Sequence, residues 1–464
     1  MGEKRRSKNF LQSAKNDFRT IEIEKLSLRV LKKQTHILSS THQTINIEGL
    51  IKQFEKVCIF DSNEIENDKK QLLSSKLIAI GATREICIKD SKNALNELQQ
   101  FLDAKKSWLF GYVTYDLKNE MEQLSSNNSD KLGFPLLHFF SPKVVLQIKQ
   151  NNVSVFYDDE FVSEKEANEL FDFCFSVEML KTDKSIKSIK IESKITKEEY
   201  IHSVNKLKEH IRKGDIYEIN FCQEFFAENV LIDTVDIYKN LNAISGAPFA
   251  AFCKFGKHSL LCASPERFLQ KCATKLTSQP IKGTVKRSEN KTEDEQLKAE
   301  LLLNEKERTE NVMIVDLVRN DLSRIAKKGS VQVDELFGIY SFKQVHQMVS
   351  TVSCEIDTTV SFTEILRSLF PMGSMTGAPK VSAMKLIEQY ESTKRGLYSG
   401  AVGYISPEGD FDFNVVIRSI LYNAENHYLS FMVGSAITDK AQAEQEYEEC
   451  LLKAKAMFEV LTAH

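Results

Sequence analysis

The 464-residue chain contains no run of 18 apolar residues, so it offers no hydrophobic stretch able to cross a membrane as a helix. Nor is there an excess of positive charge. The 62 Lys and Arg stand against 65 Asp and Glu, a formal net charge of −3, which argues against a nucleic-acid-binding surface. No Cys-x-x-Cys pair occurs among the nine cysteines, and their odd number points to free thiols of a reducing compartment. The basic start, Lys4, Arg5, Arg6 and Lys8, is not followed by the apolar core of a secretory leader. The expectation is a cytoplasmic protein with neither nucleic acid nor membrane as partner.

What remains is an ordinary globular composition, 42% hydrophobic and 27% charged. The length exceeds what a single core usually holds, so two lobes or domains are expected. Residues 1–20 read as a possible flexible tail and residues 21–180 as a strand-rich region. Within the latter, Val57-Cys58-Ile59-Phe60-Asp61-Ser62 has the pattern of a buried strand closed by a turn. Glu64, Glu66 and Asp68 then make a charged loop, residues 108–115 suggest another strand, and residues 144–148 and 153–157 a hairpin about Asn151-Asn152. Residues 181–196, rich in lysine and serine, read as a linker or crossover. Beyond it, Tyr200, Val204, Leu207 and Ile211 have helical spacing and Gly214 marks a stop. Strands are expected at residues 216–226 and 249–261.

Chemistry becomes visible in the last two thirds. In Ser278-Gln279-Pro280-Ile281-Lys282-Gly283-Thr284, a lysine sits between a proline and a glycine in a strand-like context, where its side chain can face a cavity. A lysine attacks only as the neutral amine, so a nucleophilic Lys282 needs its pKa lowered; taken alone, it reads as a solvated lysine. Glu307 with Glu310, and Glu446 with Glu449, are two pairs of carboxylates spaced to share a helix face. Two such faces brought together suit a hard cation such as Mg²⁺, whereas either pair alone reads as a solvated surface. Gly373-Ser374-Met375-Thr376-Gly377-Ala378-Pro379-Lys380 precedes a helix beginning near Val381. Its spacing is not that of a Walker loop; it offers either an anion site at a helix N-terminus or a turn of small residues.

Taken together, these stretches resemble the chorismate-utilising enzymes, and within them the synthase components of aminodeoxychorismate synthases. The resemblance runs from about Lys197 to Phe458. It includes Gly214-Asp215-Ile216-Tyr217-Glu218-Ile219-Asn220, Ser264-Pro265-Glu266-Arg267-Phe268, the lysine stretch, and Glu310-Asn311-Val312-Met313-Ile314-Val315-Asp316-Leu317-Val318-Arg319-Asn320-Asp321. The glycine cluster and Arg395-Gly396-Leu397-Tyr398-Ser399-Gly400-Ala401-Val402-Gly403-Tyr404 complete it. The resemblance implies an α+β fold, an intertwined two-lobed sheet sandwich with outer helices like that of anthranilate synthase component I, and makes residues 197–464 the chorismate-binding catalytic region.

By residue matching, Glu266 corresponds to the general acid that protonates the departing C4 hydroxyl of chorismate. Lys282 corresponds to the lysine held to attack ring carbon C2 before ammonia adds at C4; anthranilate synthases carry alanine there. Glu310 and Glu449 look like Mg²⁺ ligands, with Glu307 and Glu446 completing the acidic cluster. Tyr398, Arg418 and Lys453 match groups that hold the substrate carboxylate, and Thr376 and Gly434 fall in the matching substrate-binding motifs. His346 matches a histidine that orients substrate, although alone it reads as a core histidine. The implied reaction is Mg²⁺-dependent amination of chorismate to 4-amino-4-deoxychorismate, on the way to p-aminobenzoate and folate.

Three departures accompany the match. Glu218 stands where this branch usually has glutamine and isochorismate and salicylate synthases a lysine. Met372 and Ala436 stand where glycine is common, and would be strained if the backbone there had positive φ. Phe60-Asp61-Ser62 resembles the strand that lines the tryptophan inhibitor site of anthranilate synthases, with too little else of that site to imply feedback control. No Gly-x-Cys-x-Gly segment with a following His and Glu is present, so ammonia is expected from a separate glutamine amidotransferase subunit, and the product should keep its enolpyruvyl group. The alternatives are an anthranilate synthase component and a catalytically silent chorismate-binding subunit.

Overall fold

Alternation along the strands decides the layers. In the strand Lys56–Asp61, Val57 and Ile59 pack into one apolar cluster while Cys58, between them, packs into another. In Lys76–Ile80, Ile78 and Ile80 join the first cluster, and Leu77 and Ala79 the second. A strand buried on both faces in this way belongs to a sheet covered on both sides. The computed structural model describes residues 31–38, 44–63, 76–90, 92–176 and 188–462. Residues 1–20, the Glu64 to Asp68 loop and residues 181–187 of the expected crossover lie outside them.

Two sheets are built from strands of both ends of the chain. Among the described residues the first has twelve strands and the second ten. In the first, Phe249–Phe255 pairs with Lys56–Asp61 on one side and with His258–Ser264 on the other. The strand Glu218–Ala227 lies beside Tyr428–Ile437 farther along the same sheet. In the second, Ala401–Ile405 lies between Leu109–Val113 and Phe411–Val415, and Ile281–Lys286 pairs with Val345–Glu355 at one edge. One core fills the space where the sheets face each other; the other lies between the first sheet and its helices. The intertwined α+β sandwich is therefore observed, and the strands of the 21–180 and 197–464 regions are mixed within each sheet. The described part of the crossover is anchored, with Glu192–Ser193 paired to the strand Glu218–Ala227.

Several local expectations meet the structure residue by residue. The helix Lys197–Lys213 is closed by a capping box between Thr196 and Glu199 and ends at Gly214, whose φ of 85° is the left-handed stop. Residues 249–261, read as one strand, are instead a hairpin that turns at Gly256 with φ 62°. Met372 has φ −63°, and Ala436 lies in the strand Tyr428–Ile437 outside the positive-φ positions, so neither substitution for glycine is strained. Among the described residues, no helix is long and apolar enough to cross a membrane.

Candidate active site

Two helices carry the paired carboxylates to one cleft. Asn304 begins the helix Glu305–Ser323 by accepting a hydrogen bond from the Glu307 N–H. Along this helix Glu310, Ile314, Val318 and Leu322 form a buried stripe at four-residue spacing, so Glu310 is drawn inward with the apolar side chains. The helix Ala443–Thr462 does the same with Glu446, Cys450, Ala454, Met457 and Leu461. All four carboxylates, Glu307, Glu310, Glu446 and Glu449, line an open cleft of about 1290 Å³, together with Glu266, Lys282, Tyr398, Arg418, Gly434 and Lys453.

Their partners differ. Lys306 reaches between the helices, 3.2 Å from Glu446 and 3.9 Å from Glu310. Glu446 also accepts from the Ser435 hydroxyl, and Glu449 pairs with Lys453 at 2.6 Å. Glu310 Oε1 is buried with no hydrogen-bond partner among the described residues. Burial, only partly offset by Lys282 and Lys306, pushes the Glu310 carboxyl up to about 7. Burial, with the charge of Glu449, also raises Glu307. Burial acts on Glu449 in the same direction, but Lys453 outweighs it and holds the group below its usual range.

Among the described residues, no three His, Cys, Asp or Glu side chains stand together as a ready-made metal cage. Mg²⁺ does not need one, because it commonly binds one or two carboxylates and fills its remaining positions with water and substrate oxygens. The orphaned oxygen of Glu310, with Glu449 on the facing helix, is a donor set of that kind.

Glu266 sits on the opposite side of the charge balance. Its backbone is fixed by its N–H donating to Ser264 Oγ at 3.2 Å and by its carbonyl accepting from Val415. The next residue, Arg267, turns the other way and grips Asp412 with Nε and Nη2 at 3.0 and 2.9 Å. Burial pushes the Glu266 carboxyl up to about 7, against the opposing pull of the Ser374 hydroxyl and the Lys282 charge, so it can carry a proton near neutrality.

Lys282 lies in the strand Ile281–Lys286, where the pairing with Val345–Glu355 shifts register between Ile281 and Thr284. Gly283, with φ 88°, supplies the backbone conformation at that irregularity. Lys282 is buried, and its Nζ lies 2.7 Å from Glu218 Oε1. Burial alone would lower its pKa, but the charges of Glu218 and Glu310, the Glu218 hydrogen bond and the charge of Glu266 hold it above the ordinary lysine range. The lowering that a nucleophilic Lys282 requires is thus not met in this arrangement, where the side chain is in an ion pair with Glu218 and the carboxylates around it outweigh desolvation.

Two expected residues do not line the cleft. His346 is enclosed, its Nε2 3.0 Å from Asp294 and its Nδ1 2.8 Å from the Ser341 hydroxyl. The Thr376 hydroxyl donates to the carbonyls of Met372 and Gly373 within the buried loop. Ser374 and Met375 of the glycine cluster do reach the cleft. The start of the helix Lys380–Tyr390 is not among the residues lining the cleft, and Lys380 pairs with Asp321 at 2.5 Å. Sequence reading missed Ser374 as a partner of Glu266, and missed the buried pair Glu391 and Arg395 that braces the loop behind Tyr398. A separate cavity of about 40 Å³ is lined by Phe60, Asp61, Ser62, Arg267, Tyr404 and Asp412 among others.

The family described as chorismate binding enzyme matches residues 47–459. A rice protein named as a probable chloroplastic aminodeoxychorismate synthase is 35% identical over 387 residues, 76% of this chain. This chain spans only 43% of that relative's length. The Bacillus subtilis aminodeoxychorismate synthase component 1 is 31% identical, with 75% of each chain covered. The crystal structure of anthranilate synthase component I from Streptococcus pneumoniae superposes with a TM-score of 0.75 at 27% identity, covering 85% of this chain and 95% of the other.

Proposed function

The chain belongs to the chorismate-binding enzymes, and from that premise we propose that it aminates chorismate at ring carbon C4, forming 4-amino-4-deoxychorismate. Relatives named for this reaction and a structure named for anthranilate synthesis both match, so the choice between the two rests on the site. The observation that carries it is the presence, in one cleft, of the Lys282 side chain and a carboxyl able to hold a proton near neutrality.

In this reading Glu266 gives its proton to the C4 hydroxyl, which leaves as water. The neutral Lys282 amine adds to C2, the ring double bonds shift, and the C4–O bond pair departs with the hydroxyl oxygen. Ammonia then adds at C4, the double bonds shift back, and the C2–N bond pair returns to Lys282. Arg418, Tyr398 and Lys453 are the groups at hand for the substrate carboxylate. Glu310 and Glu449 would hold Mg²⁺. When bound, the ion supplies positive charge that offsets the acidic cleft and draws the carboxylate of the substrate. Ammonia would come from a separate glutaminase subunit, in keeping with the component 1 name of the Bacillus relative.

Pyruvate is the discriminating product. With chorismate, Mg²⁺ and an ammonium salt, a lactate dehydrogenase-coupled assay is expected to detect none while chorismate is consumed. Stoichiometric pyruvate release would assign the chain to anthranilate synthesis instead.

A further inference from the structure

The Lys282 ammonium cannot attack until a proton leaves it, and one carboxylate stands in direct hydrogen-bond contact with it. Glu218 is 1% exposed, and its Oε1 lies 2.7 Å from Lys282 Nζ. The other oxygen, Oε2, is buried without a hydrogen-bond partner among the described residues. The carboxylate thus meets the lysine through Oε1 and has no other donor on Oε2, so nothing else among the described residues competes for the proton shared with Nζ. Glu266 differs, because its carboxylate also accepts from Ser374 and from the Ile281 N–H.

Position restricts the role. Glu218 stands at the start of the strand Glu218–Ala227, does not line the cleft, and reaches it only through Lys282. Its backbone is fixed by the adjoining Gly377–Ala378 pairing and by Ile219 opposite Ile437. The charged groups acting most strongly on Lys282 from the surrounding elements are Glu218, Glu310 and Glu266, and the charges of Glu307 and Glu449 act on it as well. Glu307, Glu449, Lys306 and Lys453 stand farther out in the same cleft. Of these, Glu218 alone is within hydrogen-bond reach of Nζ among the described contacts.

We propose that Glu218 is the general base that frees the Lys282 amine. One proton passes from Nζ to Glu218 Oε1, the lone pair left on Nζ forms the bond to C2, and the C4–O bond breaks with its electron pair on an oxygen protonated by Glu266. When ammonia has added at C4 and the C2–N bond breaks, the lysine leaves as the neutral amine and recovers its proton from Glu218. Glutamine, expected at this place from the resemblance, can hold the amine but cannot take its proton. The inference rests on the reading of Lys282 as nucleophile, and the test separates the two.

The experiment is ammonium-dependent turnover of chorismate by wild type, Glu218→Gln, Glu218→Asp and Lys282→Ala, from about pH 6.5 to about pH 9. Glu218→Gln is expected to lower kcat by about ten-fold or more near pH 7 with KM within about two-fold, the low end of what a positioned base supplies. Its kcat relative to wild type should climb as pH rises and solvent removes the proton. Glu218→Asp should keep a pH profile parallel to wild type at reduced kcat. A relative kcat for Glu218→Gln that stays near unity, or is equally low at every pH, overturns the base assignment. If Glu218→Gln does not fold, an unchanged kcat in Glu218→Asp overturns it in the same way. Lys282→Ala with wild-type turnover overturns the nucleophile reading itself; inactivity of Lys282→Ala beside an unaffected Glu218→Gln removes only the base.

Discussion

Ser374 Oγ donates to Glu266 Oε1 at 2.6 Å, joining the glycine-rich loop to the cleft carboxyl proposed as the acid. That bond stabilises the charged form and opposes burial, which raises the group to about 7. An acid works while protonated, so activity falls as pH rises through its pKa. Removing the bond raises that pKa further. Ser374→Ala is therefore expected to move the alkaline limb of kcat/KM to higher pH, and an unmoved or acid-shifted limb in the pH–rate profile would contradict it.

The acidic cluster makes a prediction about metal. In the metal-free protein Glu310 stays largely protonated below about pH 7, and a protonated carboxyl is a poor ligand. Mg²⁺ affinity should weaken as pH falls through that value, with proton release on binding. Calorimetry in two buffers of different ionisation heat measures both. Glu310→Gln should lose the proton release and most of the affinity, and chelation should abolish turnover reversibly.

Gly283 couples backbone to chemistry. A Cβ there would stand 3.1 Å from Glu307 Oε2 and 3.2 Å from Leu301, at a φ of +88°. Gly283→Ala should cost about 1–2 kcal/mol from the left-handed backbone alone. It should also reduce kcat by displacing Lys282. Urea unfolding and steady-state kinetics on the same preparation check the pair of effects.

Arg395 is buried, with Nη2 2.6 Å from Glu391, and its guanidinium also donates to the carbonyls of Met375 and Asn220. Glu391 in turn accepts from the Cys222 N–H. Arg395→Leu leaves a buried carboxylate without its countercharge and is expected to lose about 3–5 kcal/mol. The double change with Glu391→Leu should lose less than Arg395→Leu alone. Denaturant midpoints of the two variants test the order.

How much of this was legible in the sequence follows from how local each signal is. The helix Lys197–Lys213 was readable because its apolar spacing and Gly214 stop are set by neighbours in sequence. So was the sharing of a face by Glu307 with Glu310. The hairpin at Gly256 did carry a local signal, Gly256-Lys257 between the apolar runs that became Phe249–Phe255 and His258–Ser264, and reading one strand across it passed that signal over. The pairing of Lys282 with Glu218 joins residues 64 apart through packing of separate sheets, which no spacing reports. For the same reason the direction of the Lys282 shift was not legible: its context let the side chain face a cavity, but the carboxylates that surround it there come from distant segments. His346 lies in the strand Val345–Glu355 and is enclosed by Asp294 and Ser341, contacts that only the fold brings to it.

The most direct measurement of the central claim is mass spectrometry of the products formed from chorismate, Mg²⁺ and an ammonium salt by wild type and by Lys282→Ala. The account predicts an aminated product that retains its enolpyruvyl group, greatly diminished in the variant. Anthranilate as the wild-type product, or undiminished amination by Lys282→Ala, would contradict it.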